Sequence, residues 1–207
     1  MRRLDHLIVV APSLDSGVSA LVAQLGVRAS EGGRHEGRGT RNALLSLGDD
    51  RYLEILAPDP EQSVPADRRW LGIGDQTPMR LATWVAKASN LDEVAQRART
   101  AGVDLGEPRS GSRQRPDGTL LSWHTLGADQ SRLDGLIPFF IDWGTTPHPS
   151  AVVAAGAALR ALRGVHPDAT RVREVIQALD LDLEVEPGSE PELIATIECP
   201  RGVVELR

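Results

Sequence analysis

The sequence has few of the residues and segments that define several large classes of protein. Its 207 residues include one cysteine, Cys199, so no disulfide can form within the chain and no cysteine-rich metal site is present. No apolar run approaches the roughly 20 residues that a membrane helix needs. The charged amino terminus lacks the long apolar segment of a signal peptide. We therefore expect a cytoplasmic protein with no membrane partner.

An excess of basic charge and two common catalytic motifs are missing as well. The chain has 23 basic and 29 acidic residues, a net charge of −6, whereas nucleic-acid-binding domains are usually basic. It contains neither a phosphate-binding P-loop nor a GxSxG nucleophile motif. Hydrophobic residues make up 41% of the chain, which is typical of a globular protein with a buried core. We therefore expect no nucleic-acid partner.

A β-α-β-β-β pattern occurs twice along the chain. Residues 4–11 and 81–88 are apolar runs typical of strands, and each is followed by capping residues and by apolar residues at helical spacing. The pairs Leu14-Asp15 and Leu91-Asp92, at the starts of the two helices, lie 77 positions apart. Later strands are predicted at residues 41–47 and 51–57, and again at 120–126 and 136–142. The spacing predicts two copies of one module in an α+β fold.

A third, shorter copy of the pattern follows. Residues 159–165 are typical of a strand, His166-Pro167-Asp168 is a helix start signal, and further strands are predicted at 181–185, 193–197 and 203–206. Linkers at residues 58–78 and 143–150 separate the copies, and the first is long enough for a lid over a site. We expect one domain over residues 1–150, with modules at about 1–60 and 79–143. The third module, residues 151–207, is expected to pack on the same domain.

Four segments of the chain, taken together with their spacing, form a pattern that is fairly specific, whereas any one of them alone is weak. They are Leu4-Asp5-His6-Leu7, Gly33-Arg34-His35 with Gly39-Thr40-Arg41-Asn42, Tyr52-Leu53-Glu54-Ile55 with Pro58-Asp59-Pro60, and Pro138-Phe139-Phe140-Ile141-Asp142-Trp143. Together they resemble the vicinal oxygen chelate superfamily and, within it, the glyoxalase-like domain family. The resemblance implies paired βαβββ modules whose curved sheets enclose a cavity. In the metalloenzymes of the superfamily, the first and fourth strands of each module supply the ligands of a divalent metal.

In the first module, the resemblance places the metal ligands at His6 and Glu54. Because side chains alternate along a strand, His6 shares a face with Ile8, and Glu54 shares one with Tyr52. An imidazole and a carboxylate suit Zn, Fe, Mn or Ni. The structural alternative is that Glu54 is a carboxylate at the mouth of the barrel, paired with an arginine.

The second module departs from this ligand pattern. Thr83 stands 77 positions after His6, and the place of Glu54 falls on Phe139 or Phe140. A third ligand would have to come from His124, Asp142 or His35, and we take His124. Two protein ligands hold a metal poorly, since catalytic sites usually supply three. A bound divalent metal and the absence of any cofactor therefore both stay open.

Other side chains are candidates for contacts with a small molecule. His35, in a glycine-rich segment, is a candidate acid-base group together with Glu54, and the nearby Arg38 would meet an anionic substrate; the alternative is a solvated loop. Aromatic residues on strands either belong to the core or form an apolar platform for a ligand. The predicted substrate-binding residues are Asn42, Tyr52, Trp84, Trp123, Phe140 and Arg38.

Three functions fit this sequence. The first is a metal-dependent lyase, isomerase or dioxygenase-type enzyme that acts on a small oxygenated molecule, with His6, Glu54 and His124 as ligands. The second is a metal-free binding protein with an aromatic-lined cavity of the kind that sequesters antibiotics. The third is an interaction protein whose third module offers sheet edges to a partner. Because that module needs a partner sheet, we also expect a homodimer.

Overall fold

The computed structural model describes residues 3–115 and 117–207, and this part of the chain forms two β-sheets covered by three helices. The first module consists of β1 (Leu4–Val10), α1 (Leu14–Leu25), β2 (Ser30–His35), β3 (Thr40–Ser46) and β4 (Tyr52–Pro58). The hydroxyl of Ser13 accepts the N–H of Ser16 and so caps α1. Gly26, in the left-handed conformation, ends the helix.

The second module repeats the first. It consists of β5 (Arg80–Lys87), α2 (Leu91–Thr100), β6 (Arg109–Gln114), β7 (Leu120–Leu126) and β8 (Phe139–Asp142). Helices α1 and α2 begin at Leu14 and Leu91, so the 77-residue repeat of the sequence is also a repeat of the structure. The predicted α+β fold with repeated βαβββ modules is confirmed.

Both modules contribute to one eight-stranded sheet with the order β2-β3-β4-β1-β5-β8-β7-β6. In each module the first strand pairs in parallel with the last, β1 with β4 and β5 with β8. The antiparallel pair of β1 and β5 joins the modules at the centre of the sheet. The two modules therefore pair within one chain.

The large sheet curls until its two edge strands, β2 and β6, approach each other. Arg113 on β6 donates a hydrogen bond from Nη1 to the carbonyl oxygen of Gly32 on β2. A Cβ atom added at Gly33 would lie 2.6 Å from the carbonyl oxygen of Gln114, and Gly33 has a φ of +151°. Only glycine permits this close approach, so the glycine pair in β2 allows the sheet to close around a cavity.

The third unit keeps the element order of the other two but pairs its strands differently. It consists of β9 (Ala158–His166), α3 (Ala169–Ala178), β10 (Glu184–Pro187), β11 (Glu192–Cys199) and β12 (Gly202–Leu206). The first strand, β9, pairs in parallel with β10 and antiparallel with β11, and the sheet order is β10-β9-β11-β12. A module of the first kind would place β9 beside β12.

The helices and the third unit cover one face of the large sheet. Leu7 and Leu53 of the large sheet belong to the same buried cluster as Val175 of α3 and Leu193 of β11. Main-chain contacts reinforce this packing, since the N–H of Leu159 donates to the carbonyl of Leu47 at 3.1 Å. The opposite face of the sheet is left for the cavity.

The segment between β4 and β5 lies against this cavity face. It contains two short 3₁₀ turns, Ala66–Arg68 and Trp70–Gly72. The indole Nε1 of Trp70 donates a 2.9 Å hydrogen bond to the carbonyl of Ala128, which fixes the segment to the second module. Among the described residues, no helix has the length and apolar character needed to cross a bilayer.

Candidate functional site

The concave face of the large sheet encloses a cavity of about 210 Å³. Alternation along the strands determines which side chains reach it: His6 from β1, Glu54 from β4 and Phe139 from β8 face inward. Inward-facing apolar residues, among them Ile8, Leu56 and Val85, form a small buried cluster beneath it. The polar residues that line the cavity are His6, His35, Glu36, Arg38, Asn42, Tyr52, Glu54, Ser110, Ser112, Arg113 and Thr125.

The floor of the cavity is a chain of buried charged groups. The His6 imidazole lies between two carboxylates, with Nδ1 at 2.6 Å from Asp5 Oδ1 and Nε2 at 3.4 Å from Glu54 Oε2. A register shift in the β1–β5 pairing, between Leu4 and His6, lets the two adjacent side chains meet. Tyr52 stacks on the His6 ring at 4.4 Å and 14°. The imidazole is thus held from three sides.

Asp5 is completely buried and bound by three donors. Besides His6, it accepts hydrogen bonds at Oδ2 from Trp143 Nε1, at 3.1 Å, and from His148 Nε2, at 3.2 Å. Burial alone would raise the pKa of Asp5, but the hydrogen bonds and charges of His148 and His6 hold it well below its ordinary value. Asp5 therefore stays ionised and orients His6.

His6 and Glu54 shift each other's pKa values in opposite directions. Burial alone would lower the pKa of His6, but its hydrogen bonds to Asp5 and Glu54 raise it above the ordinary value. Burial alone would raise the pKa of Glu54, but the His6 hydrogen bond and charge lower it to about 2. The contact between the two groups therefore favours the protonated imidazole and the ionised carboxylate.

His35 continues the polar floor from β2. Its Nδ1 lies 3.0 Å from Thr40 Oγ1, and its Nε2 lies 3.4 Å from Asn42 Nδ2 and 3.8 Å from Glu54 Oε1. The Asn42 amide also donates a 2.6 Å hydrogen bond to Glu54 Oε1. Burial lowers the pKa of His35 to about 4, so this imidazole is uncharged at neutral pH, whereas the pKa of His6 is raised.

Aromatic side chains form the walls. Trp70 lies edge-on to Phe139 at 5.8 Å and to His35 at 5.2 Å. On the other side, the Trp123 and Trp143 rings are 5.3 Å apart. A Cβ atom added at Gly111 would lie 2.5 Å from Trp123 Nε1, so this glycine makes room for the indole. The walls suit a flat apolar molecule.

Two of the predicted ligand-binding aromatic residues lie on the other face of the sheet. Trp84 and Phe140 belong to the main core; each is at most 1% exposed, and neither lines the cavity. The indole of Trp84 donates to the carbonyl of Leu136 within that core. Their placement follows from strand alternation, because their neighbours Thr83 and Phe139 point to the opposite face. The expectation that Trp84 and Phe140 contact a ligand is corrected accordingly.

The predicted third metal ligand also lies outside the cavity. His124 is exposed on the outer face of β7, while its neighbours Trp123 and Thr125 line the cavity. Asp142, the other β-strand candidate, lies opposite His124 and accepts a hydrogen bond from the N–H of Gly144. Of the three candidates only His35 faces Glu54.

The residues present do not fit a divalent metal. Among residues 3–115 and 117–207, no group of three or more His, Cys, Asp or Glu side chains is arranged to hold one. His6 Nε2 faces the Glu54 carboxylate directly, at 3.4 Å from Oε2. The second module supplies Thr83 and Phe139 at the corresponding positions, and neither completes a metal site.

Asp5, which binds His6, and the cavity residues Arg113 and Trp70 were not predicted from the sequence as functional. Asp5 reads as a strand-end residue, and only the register shift brings it to His6. Arg113 lies in a strand without apolar alternation, Arg109–Gln114, so its direction is not readable. Trp70 lies in an irregular linker, where strand alternation does not apply, although a tryptophan in a long linker is itself a signal for contact with a site.

Comparison with known proteins identifies the family. A search of the curated proteins finds no match to this chain. A family model described as the glyoxalase-like domain matches residues 4–179. The chain belongs to the glyoxalase-like domain family. The match covers both modules and continues through α3 of the third unit.

A solved structure shares the fold of this glyoxalase-like protein. A hypothetical protein from Staphylococcus aureus is 13% identical, with a TM-score of 0.70, and the alignment covers 98% of this chain and 93% of that one. The alignment therefore includes the third unit of this chain. Methylmalonyl-CoA epimerase from Mycobacterium tuberculosis is 20% identical, with a TM-score of 0.40 over 72% of this chain and 91% of that one.

Proposed function

We propose that this glyoxalase-like protein binds a small oxygenated organic molecule in its cavity and does so without a divalent metal. The observation that carries the proposal is the pairing of the floor. His6 is bound to Asp5 and Glu54, and Glu54 is bound to Asn42, so the groups that would hold a metal are already engaged with one another. Aromatic walls above a polar floor are typical of small-molecule sites.

The pKa values of the floor residues favour binding over proton transfer. An efficient general base has a pKa near the working pH. The pKa of Glu54 is lowered to about 2 and that of His35 to about 4, so both are weak bases at neutral pH. Glu54 and His35, the predicted catalytic residues, are therefore assigned to holding the ligand, together with Asn42 and Tyr52.

A metal-dependent lyase, isomerase or dioxygenase-type enzyme is the alternative. It rests on His6 and Glu54, the two residues that match the ligand positions of the superfamily. Against it stand Thr83 and Phe139 in the second module and the outward direction of His124, since catalytic metal sites usually have three protein ligands.

Metal loading distinguishes the two functions. Purified protein is dialysed against Zn²⁺ or Mn²⁺, freed of excess metal and analysed for metal content. The variants Glu54→Gln and His6→Ala are compared with Glu36→Gln, which alters an exposed carboxylate at the cavity mouth. We expect far less than one ion per chain in all four proteins. One ion per chain, lost in Glu54→Gln and His6→Ala alone, would establish the metal-dependent enzyme.

Calorimetry with small probes tests the binding function itself. Catechol, acetophenone and benzamide are neutral, flat and oxygenated, and each fits a cavity smaller than the roughly 300 Å³ of drug-sized sites. We expect at least one to bind the wild type with a dissociation constant in the range of about a millimolar or below. Binding should be lost in Trp123→Ala. If none of these probes and no carboxylate of the same size binds, the proposal fails.

Dimerisation and a partner protein stay predictions. The large sheet is completed within one chain, and the third sheet shares its core with that chain, which removes the reason for expecting a homodimer. The free edges of the third unit still support the interaction-protein function. Light scattering of the purified protein measures the oligomeric state directly.

A further inference from the structure

We propose that the ligand of this cavity carries a carboxylate and that the Arg113 guanidinium binds it. The inference rests on the proposed binding function and adds the charge and orientation of the ligand. It concerns the wall of the cavity where β6 meets β2, away from the paired charges of the floor.

Arg113 is a buried cation with almost no partner. The residue is 5% exposed, yet it lines the cavity. Its guanidinium makes one hydrogen bond within the described residues, from Nη1 to the carbonyl of Gly32. No carboxylate oxygen of those residues lies within 4.0 Å of its nitrogens. Four of its five N–H donors make no hydrogen bond within the described residues.

The isolation of this charge has an energetic consequence. A buried charge is costly unless it is paired, and burial lowers the pKa of Arg113 accordingly. The Glu54 carboxylate offsets part of this effect from a distance, but its own oxygens face His6 and Asn42. A carboxylate on the ligand would neutralise the guanidinium and accept its forked donors, and this geometry is the one that arginine matches best.

The rest of the cavity agrees with an anion at this wall. Ser110 and Ser112, on the same strand as Arg113, also border the cavity. A second cation, Arg38, lies over the Trp70 ring at 5.8 Å, near the mouth. Arg38 Nη1 lies 4.0 Å from Asp129 Oδ1, which is a long contact. Much of the positive charge of Arg38 therefore acts at the entrance of the cavity.

The walls determine the remainder of the ligand. Trp70, Trp123 and Phe139 favour a flat ring between them. A carboxylate at Arg113 turns the opposite end of such a ring toward the polar floor. There the His6 nitrogens face Asp5 and Glu54, and the Asn42 amide donates to Glu54. The His6 contact offsets part of the charge of Glu54. The ligand class is therefore a single-ring carboxylate.

Benzoate and benzamide test the inference, because they share shape and differ in charge. Their affinities are measured by calorimetry at low ionic strength for the wild type, Arg113→Gln, Arg113→Lys and Arg109→Gln. Arg109 lies on the same strand with its side chain 65% exposed, and it serves as the matched control. Thermal melting of each variant verifies that it is folded.

We expect the wild type to bind benzoate about tenfold to a hundredfold more tightly than benzamide, as is usual for charge-assisted hydrogen bonds. Arg113→Gln should abolish this preference, Arg113→Lys should retain part of it, and Arg109→Gln should keep it whole. Equal affinities in the wild type, or a preference that survives in Arg113→Gln, would overturn the inference. Binding of neutral probes without benzoate binding overturns the inference alone; failure of every probe overturns the proposed function as well.

Discussion

Phe139 occupies in the second module the place that Glu54 occupies in the first. Glu54 lies opposite Ile8 in the parallel pair β1–β4, and Phe139 lies opposite Val85, 77 positions after Ile8, in the parallel pair β5–β8. Both side chains face the cavity. An aromatic wall residue in the second module thus corresponds to the carboxylate of the first, and that carboxylate is paired with His6.

Trp84 on β5 packs in the core and Trp123 on β7 lines the cavity, so their substitution should have different effects on stability and binding. Trp84→Ala should destabilise the protein by about 3–5 kcal/mol, because it removes a fully buried indole from the core. Trp123→Ala should cost much less stability, because this residue is partly exposed, yet it should abolish probe binding. Urea unfolding and calorimetry on both variants measure the two effects. Loss of binding in Trp123→Ala only through unfolding would contradict the assignment.

The opposite pKa shifts of His6 and His35 predict that the folded protein is most stable near pH 6.5. The folded pKa of His6 is raised, so its contribution is complete below pH 6.5 and is lost as the pH rises through the folded value. The folded pKa of His35 is lowered to about 4, so stability falls as the pH drops from 6.5 to 4. The folded pKa of Glu54 is lowered to about 2, so Glu54 adds a further loss of stability as the pH falls below about 4.5.

The stability lost between pH 6.5 and pH 4, the acid limb of this profile, is the part that reports on His35. The shift from 6.5 to about 4 corresponds to roughly 3 kcal/mol of stability lost between those pH values. His35→Gln should flatten the free energy of unfolding over this range, whereas His6→Gln should flatten the profile above pH 6.5. The urea midpoint, measured from pH 4 to 9 for the three proteins, records both limbs. An unchanged acid limb in His35→Gln would refute the burial of a neutral imidazole.

Asp5 is expected to act on the site through His6. Asp5→Asn removes one of the two carboxylates that raise the pKa of His6, so that pKa should fall. The amide still meets Trp143 and His148, which keeps the local packing in place. An NMR titration of the His6 ring measures the change, with Asp15→Asn on the surface of α1 as the control. An unaltered His6 pKa would show that Asp5 is only structural.

Gly33 is expected to control closure of the large sheet. Gly33→Ala places a Cβ atom 2.6 Å from the carbonyl oxygen of Gln114 and should separate β2 from β6, at a cost of about 1–3 kcal/mol. Gly74→Ala has ordinary van der Waals space, with the Ala66 Cβ at 3.7 Å, and should be nearly neutral. Urea unfolding of the two variants, together with benzoate titration, separates closure from general strain. Equal stability of both variants would argue against the close approach.

The direction of a side chain could be predicted from the sequence where a strand alternates regularly and the 77-residue repeat aligns it with a second strand. His6 and Glu54 both face the cavity, as the parity of β1 and β4 predicted. The same parity carried over 77 positions places Thr83 on the cavity face of the sheet and therefore Trp84 on the face that packs in the main core. Strand β8 begins at Phe139, three residues later than predicted, so two consecutive phenylalanines left the inward residue ambiguous by one position.

The rest of the site depends on features that leave no periodic pattern. The direction of Arg113 is set by closure of the sheet onto Gly32, which is a contact between residues 81 positions apart. The contact of Asp5 with His6 depends on a register shift, and that of Trp70 on the path of a loop. The third unit has the element order of its predecessors, but the pairing of β9 with β10 follows from tertiary packing.

A crystal structure grown with both benzoate and Zn²⁺, recorded at the zinc absorption edge, tests the central claim most directly. The account predicts a flat ligand between the tryptophans, its carboxylate on the Arg113 guanidinium, and no anomalous peak at the floor. A zinc peak about 2.0–2.2 Å from His6 Nε2 and a Glu54 oxygen would contradict it.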